Sequence, residues 1–163
     1  MRRRTTAAQV DDPDDVSAAE ATALRILGGA SQSANGLQRR LQQRGYSADA
    51  AQAAVERCRE LGYVDDAKLA ASVAARHRRS NHGRVRIVAD LRARGVNADA
   101  IAAATEAIAG DEQDAAVAAA HQLAARRGGD SEVDQMTRRK IGAALQRRGF
   151  SGDVIVRALR SLD

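Results

Sequence analysis

Apolar residues recur four positions apart in three similar stretches of this chain. The pairs are Leu37 and Leu41, Ile87 and Leu91, and Ile141 and Leu145. Because residues four apart lie on the same face of an α-helix, each pair predicts a helix with one buried face. Each stretch then continues in a shared pattern, which reads LQQRGYSAD, LRARGVNAD and LQRRGFSGD.

The glycine of this pattern predicts where each helix ends. It is Gly45, Gly95 or Gly149, and a glycine just past a helix C-terminus adopts the left-handed conformation without a Cβ clash. In such an ending the next residue packs against the leucine four positions before the glycine. These pairs are apolar in every copy: Leu41 with Tyr46, Leu91 with Val96, and Leu145 with Phe150.

Two further helices complete each copy. One begins directly after the glycine, because Ser47, Asn97 and Ser151 are favourable N-caps. The other precedes the glycine-ended helix, and Ser17 is the expected N-cap of the first of these. We expect these preceding helices at about residues 18–27, 66–79 and 112–127. The copies are 50 and 54 residues apart, which is typical of helical repeats.

The sequence therefore predicts an all-α protein with nine helices in three tandem trihelical repeats. The expected divisions are a disordered N-terminal tail at 1–16 and repeats at 17–63, 64–110 and 111–163. Because such repeats stack on their neighbours, we expect an elongated, curved molecule roughly 60–80 Å long.

The composition predicts a thin core that depends on helix propensity. Alanine supplies most of the apolar residues, and only Tyr46, Tyr63 and Phe150 are aromatic, so little apolar surface is buried per residue. The single cysteine, Cys58, is expected as a small core residue. Neither a secretory signal nor a membrane span is recognisable. We expect a cytoplasmic protein with no membrane contact, and a monomer.

No candidate catalytic, cofactor or metal site emerges from the sequence. The loop GGASQSANG at 28–36 lacks the Gly-Lys-Ser/Thr ending of a phosphate-binding loop. His77, His82 and His121 have no second ligand type at metal spacing, so we expect them at the surface or between helices. The conspicuous carboxylates occupy caps or first turns, where the helix dipole accounts for them. A non-enzymatic protein without a cofactor is expected.

The charge pattern predicts an interaction surface. The net charge is +5, and all but two of the 26 basic residues are arginines, which suits a polyanionic partner. Two clusters occupy matching places in the second and third repeats. The first cluster is Arg76, Arg78, Arg79, Arg84 and Arg86, and the second is Arg138, Arg139, Lys140, Arg147 and Arg148. A solvated charged face is the alternative interpretation.

A trihelical unit with a tight turn also resembles a helix-turn-helix DNA reader. That function needs base-reading residues near the start of the helix after the turn. Here those starts carry Asp49, Asp99 and Asp153, whose charge opposes the approach of DNA. Few aromatic residues are present to stack on bases. We therefore expect DNA contacts to the backbone, without sequence specificity, and a helix-turn-helix regulator stays the alternative.

The central stretch resembles the signature of the RecX regulatory proteins. The matching residues are the run GYVDD at 62–66, Arg76, Gly83, Arg86, Ile87, Leu91, Arg94 and Gly95. The C-terminal RRKIGAALQRRGFSGDVI is similar to the last repeat of that family, and the resemblance extends from about Ala18 to the C-terminus. Two departures are the lack of basic residues in the loop at 28–36, and Leu69 in place of the usual phenylalanine.

The resemblance implies a nine-helix, three-repeat protein that binds the RecA recombinase and its filament on DNA. Members of the family are not enzymes. They occupy the filament, limit its growth and suppress its ATPase and strand exchange. The resemblance does not indicate whether the two arginine clusters contact recombinase carboxylates or DNA phosphates.

Overall fold

The computed structural model describes residues 10–126 and 133–162. Within these ranges the chain forms nine α-helices, one 3-10 turn at Ala109–Asp111 and no strand. The helices are α1 (Val16–Gly29), α2 (Ala34–Gln43), α3 (Ala48–Glu60), α4 (Asp66–Arg79), α5 (Arg84–Ala93), α6 (Ala98–Glu106), α7 (Glu112–Ala125), α8 (Gln135–Arg147) and α9 (Gly152–Arg160). The predicted all-α fold class is confirmed.

The repeated glycines end their helices as predicted. Gly45, Gly95 and Gly149 have φ angles of 104°, 76° and 85°, a region that favours glycine. After α2, the Gly45 N–H donates to the Gln42 carbonyl at 2.9 Å, and the Tyr46 N–H donates to the Leu41 carbonyl at 3.3 Å. This pair of hydrogen bonds defines a Schellman ending.

The turn after α8 repeats this arrangement. There the Gly149 N–H donates to the Gln146 carbonyl at 2.9 Å, and the Phe150 N–H donates to the Leu145 carbonyl at 3.3 Å. Both Leu145 and Phe150 are buried in the same core. The nine-residue pattern is therefore a helix-ending turn that also supplies core residues.

The start of α1 differs from the prediction. The N-cap is Asp15, whose carboxylate accepts the Ala18 N–H at 2.9 Å, and Ser17 lies inside the helix. A carboxylate in this position also interacts favourably with the helix dipole. The chain is ordered before this point, because Val10 packs against the core and the Pro13 carbonyl accepts the Ser47 N–H at 2.9 Å. The disorder predicted for residues 10–16 is therefore wrong, and residues 1–9 lie outside the described ranges.

Two N-caps after the glycines differ in chemistry. The Ser47 side chain accepts the Ala50 N–H at 3.2 Å, as predicted. Ser151 occupies the N-cap of α9, but its hydroxyl donates to the Asp153 carboxylate at 2.6 Å and does not cap the helix. This bond lowers the pKa of Asp153, as do the Val154 N–H and the Arg157 guanidinium.

The described chain divides into two compact units. One contains the chain up to Leu69 together with Ala93–Ala98, and the other contains Ala70–Arg92 and the chain from Asp99 onwards. The first has a core built from α1, α2 and α3, which includes Cys58 at 2% exposure. Burial raises the pKa of the Cys58 thiol, and the Glu20 carboxylate adds to this, in agreement with a core role.

The second unit has a core of its own from α7, α8 and α9. Small alanines of α7, among them Ala116 and Ala120, pack against Ile141 and Leu145 of α8 and Phe150 after it. Because alanine has so short a side chain, the helices of this core pack closely. The second predicted repeat, 64–110, contributes to both compact units.

Candidate functional site

In the first compact unit, the N-terminus of α2 docks against the turn that follows α5. The Ser33 hydroxyl donates to the Arg94 carbonyl at 2.6 Å, and the Asn35 amide donates to the Gly95 carbonyl at 3.2 Å. The backbones are close, since a Cβ added to Gly36 would lie 2.9 Å from the Arg94 carbonyl oxygen. We call this contact, between residues 33–36 and 93–97, the first joint.

In the second compact unit, the N-terminus of α5 docks against the turn that follows α8. The Gly83 N–H donates to the Arg148 carbonyl at 2.8 Å, and the Val85 N–H donates to the Gly149 carbonyl at 3.0 Å. A Cβ added to Gly149 would lie 2.6 Å from the Arg86 nitrogen. This contact, between residues 83–86 and 147–150, is the second joint. The two joints accept hydrogen bonds at equivalent carbonyls, on the repeat glycine and the residue before it.

A carboxylate completes each joint. Asp66 accepts the backbone N–H groups of Ala34 and Asn97, each at 2.9 Å, and the Asn97 side-chain amide at 3.1 Å. At the second joint Glu112 accepts the Arg84 N–H at 2.9 Å. Asp66 is only 9% exposed, and its hydrogen bonds offset the cost of burying the charge. Sequence reasoning placed Asp66 only at the start of a predicted helix and missed this role.

The joints explain why the second repeat belongs to both compact units. The N-terminus of α5 forms the second joint, whereas the turn after α5 forms the first joint. Each joint connects residues about 60 positions apart in sequence. A repeat period read from the sequence therefore does not coincide with the compact units of the structure.

Four of the ten predicted basic site residues are held by other parts of the protein. Arg76 pairs with Asp90 at 3.6 Å, and Arg78 pairs with Asp111. The half-buried Arg138 donates to the Val133 carbonyl at 3.1 Å and, between α8 and α9, to the Leu159 carbonyl at 3.0 Å. Arg86 donates to the Arg147 carbonyl across the second joint at 3.3 Å.

Arg148 is a separate case. Its carbonyl belongs to the second joint and its side chain is half-buried, with Nη1 buried and without a hydrogen-bond partner among the described residues. Arg148 also lies at the C-terminal end of α8, where the helix dipole favours a cation. The joint is a second reason for its position.

The other five predicted residues are exposed. They are Arg79, Arg84, Arg139, Lys140 and Arg147, and we call them the open basic residues. Within 10–126 and 133–162, none of their side chains has a carboxylate within 4.0 Å. All five lie in the second compact unit. They are the part of the predicted site that can accept an external anion.

A groove lies beside the second predicted cluster, in the second compact unit. It has a volume of about 800 Å³ and is lined by α8, the turn after it and α9, together with Val85 of α5. Arg139 of the second cluster lines the groove, and Val85 lies between Arg84 and Arg86 of the first. The floor is apolar, with Ile155 and Leu159 among its residues.

Two of the histidines connect α4 to α5. His77 Nε2 lies 2.8 Å from the Asp90 carboxylate, and His77 Nδ1 lies 2.9 Å from His82 Nδ1. Burial lowers the pKa of His82, and the charges of Arg86, His77 and Arg148 lower it further. No group of three or more His, Cys, Asp or Glu side chains in the described ranges is arranged to bind a metal ion.

The described residues contain no helix that could span a membrane. None of the helices found there combines the length and the apolar character needed to cross a bilayer.

Three family domains match this chain in tandem. They are the first three-helix domain of RecX at residues 19–58, the second at 65–104 and the third at 112–159. The chain belongs to the RecX family. These matches confirm the family resemblance and the three tandem trihelical repeats.

Curated RecX proteins are similar along most of this chain. The regulatory protein RecX of Xanthomonas campestris pv. campestris (strain B100) is 42% identical over 125 residues, which are 76% of this chain and 75% of the relative. That of Stenotrophomonas maltophilia (strain R551-3) is 39% identical over 125 residues, covering 76% and 74%. A RecX role in regulation is therefore supported for this chain.

A solved RecX structure has the same fold. The crystal structure of RecX from Lactobacillus salivarius covers 92% of this chain and 97% of its own, with a TM-score of 0.80 and 22% identity. Four residues that carry the resemblance to the RecX signature take part in the joints, namely Asp66, Gly83, Arg94 and Gly95. These residues therefore contribute to the contacts between successive repeats.

Proposed function

We propose that this RecX-family protein is a non-enzymatic cytoplasmic regulator that binds the RecA recombinase and its filament on DNA. On this proposal it inhibits the recombinase ATPase and strand exchange. The family membership supports a regulatory role. The observation that carries the proposed site is the groove of the second unit, which is lined by Arg139, an open basic residue without a carboxylate partner among the described residues.

The chemistry of the groove suits a filament better than a single DNA sequence. The planar guanidinium group of arginine matches the geometry of both carboxylates and phosphates. One surface can therefore contact both the recombinase and the DNA backbone. Tyr46 and Phe150 are buried, and only Tyr63 among the three aromatic residues is exposed. The described surface therefore offers no row of aromatic side chains for stacking on bases.

The test is recombinase ATPase on single-stranded DNA. We expect the double variant Arg139→Glu, Lys140→Glu to weaken inhibition while the far-UV helical signal is unchanged, because both side chains are exposed. Arg138 is left intact because its two carbonyl bonds hold α8 to its surroundings. The matched control is Arg92→Glu, Arg160→Glu, which makes the same charge change at exposed positions outside the groove.

Two results would contradict this assignment. An equal loss of inhibition in the control would show that general charge is responsible. A selection experiment that enriched one duplex sequence would favour the helix-turn-helix alternative, because backbone contacts carry no direct sequence information. If the wild-type protein left ATP turnover unchanged, the proposed function itself would be wrong.

A further inference from the structure

A second pocket lies in the first compact unit, beside the first joint. It has a volume of about 400 Å³ and is lined by the loop at 30–33, by Arg39, Arg40 and Gln43 of α2, and by Arg94. This loop is the segment in which the sequence lacks basic residues. The structure places arginines from α2 and from the turn after α5 around it. No Asp or Glu is among the lining residues.

Arg39 and Arg40 of this pocket are available to an anion. Arg40 is exposed and, among the described residues, has no carboxylate within 4.0 Å. Arg39 is also exposed, and its Nη2 makes one long hydrogen bond, 3.5 Å, to the Ala93 carbonyl. A guanidinium group has five N–H donors and no acceptor. Most of the donors of these two side chains therefore make no hydrogen bond to the described part of the protein.

At the second joint, the position equivalent to Arg40 is a carboxylate, Asp90, which is paired within the protein. Arg40 and Asp90 are 50 residues apart, as are Gly45 and Gly95. Asp90 pairs with Arg76 at 3.6 Å and lies 2.8 Å from His77. The same place in the fold thus carries a carboxylate in contact with Arg76 and His77 at one joint and an exposed cation at the other. A purely structural role for the joint does not need this difference in charge.

We propose that the pocket beside the first joint binds the phosphodiester backbone of a single-stranded nucleic acid. Phosphate oxygens match the planar donors of arginine. Successive phosphates also give Arg39 and Arg40 separate partners, which one carboxylate would not do. The loop and α2 add neutral donors, from Ser31, Gln32 and Gln43. Because no aromatic residue lines the pocket, binding is independent of the bases.

This site goes beyond the proposed function, so its test uses the protein without recombinase. Binding of fluorescein-labelled oligothymidylate is measured by anisotropy between about 50 and 200 mM salt. The variant Arg39→Gln, Arg40→Gln weakens binding on the order of tenfold at low salt. It also lowers the slope of log affinity against log salt by about 0.7 for each lost phosphate contact. An abasic phosphodiester oligomer shows the same loss.

The control variant is Arg57→Gln, Arg59→Gln on α3, which removes the same charge from the same unit. These arginines pair on the surface with Glu60 and Glu56 and lie outside the pocket. An equal effect of both variants overturns the proposal, and so does an unchanged slope. A loss of binding to polyglutamate with oligothymidylate binding retained assigns the pocket to protein carboxylates instead.

A measurement on the wild-type protein covers the case in which the variant does not fold. Phenylglyoxal modifies accessible arginines, and mass spectrometry reads the extent at each position. Oligothymidylate protects Arg39 and Arg40 and leaves Arg57 unprotected. Equal modification of Arg39 and Arg40 with and without the oligonucleotide overturns the proposal. These outcomes are independent of whether the protein inhibits recombinase ATPase.

Discussion

At the scale of single residues, the rings of the two histidines before α5 face each other. The Nδ1 atoms of His77 and His82 lie 2.9 Å apart, so one ring donates and the other accepts. If both rings were protonated, two N–H groups would face each other. Arg86 of α5 and Arg148, directly after α8, act on His82, and Asp90 contacts His77. Neutral His82 is the form that this arrangement favours.

We therefore expect the free energy of unfolding to decrease as pH is lowered through the range where histidine titrates. Because the pKa of His82 is lowered from its ordinary value of 6.5, the unfolded chain binds its proton first. The contribution of neutral His82 is present above about pH 6.5 and is lost as pH falls below it. Urea unfolding at pH 7.5 and 5.5 measures this loss, which should be smaller in His82→Asn than in the wild type.

The control for this prediction is His121→Asn, which removes a histidine outside the pair. It should keep the wild-type pH dependence. The lowered pKa values of Asp65, Asp134 and Asp153 do not interfere, because their contributions are lost only when pH falls below about 4. A pH dependence identical in wild type and His82→Asn would contradict the assignment.

At the scale of elements, a glycine in a turn after a helix can be required for two reasons. One is a positive φ angle, and the other is the close approach of another segment of the backbone. Gly149 has a φ of 85° and also meets the backbone of Arg86. Gly62 has a φ of 76° with no atom within 4 Å of an added Cβ, and Gly152 has neither constraint. These three positions separate the effect of backbone conformation from that of close approach at the second joint.

We expect the three alanine substitutions to differ in their free energies of unfolding. Gly62→Ala should cost roughly 1 kcal/mol, because alanine is strained in the left-handed conformation. Gly149→Ala should cost more, because α5 must also move away. Gly152→Ala should be neutral or slightly stabilising, since alanine is the better helix former. Chemical unfolding measures all three, and equal costs at Gly62 and Gly149 would show that the close approach contributes nothing.

At the scale of the whole molecule, the joints lead to a prediction about the oligomeric state. Each joint is formed between two segments of one chain, so neither joint needs a second copy to complete it. We therefore expect a monomer of 17.3 kDa. Size-exclusion chromatography with light scattering measures this mass, and a value of twice the monomer mass would contradict the expectation.

The sequence alone determined the helices, their glycine endings and the threefold repeat. These features depend on neighbours within about five positions, as in the hydrogen bonds from Gly45 and Tyr46 back into α2, so a short pattern carries the information. The start of α1 was predicted wrongly because Asp15 and Ser17 are both good N-caps, and local preference does not distinguish them.

Only the tertiary structure decided which charged residues are available for binding. The sequence placed Arg138 and Arg139 in one cluster, yet the first is held by carbonyls of Val133 and Leu159, whereas the second is exposed. It also gave no sign that Asp66 would accept hydrogen bonds from Ala34 and Asn97. The partners in these contacts lie up to 32 positions apart. A long-range partner leaves no local signal, because it depends on how the repeats dock and not on the neighbouring residues.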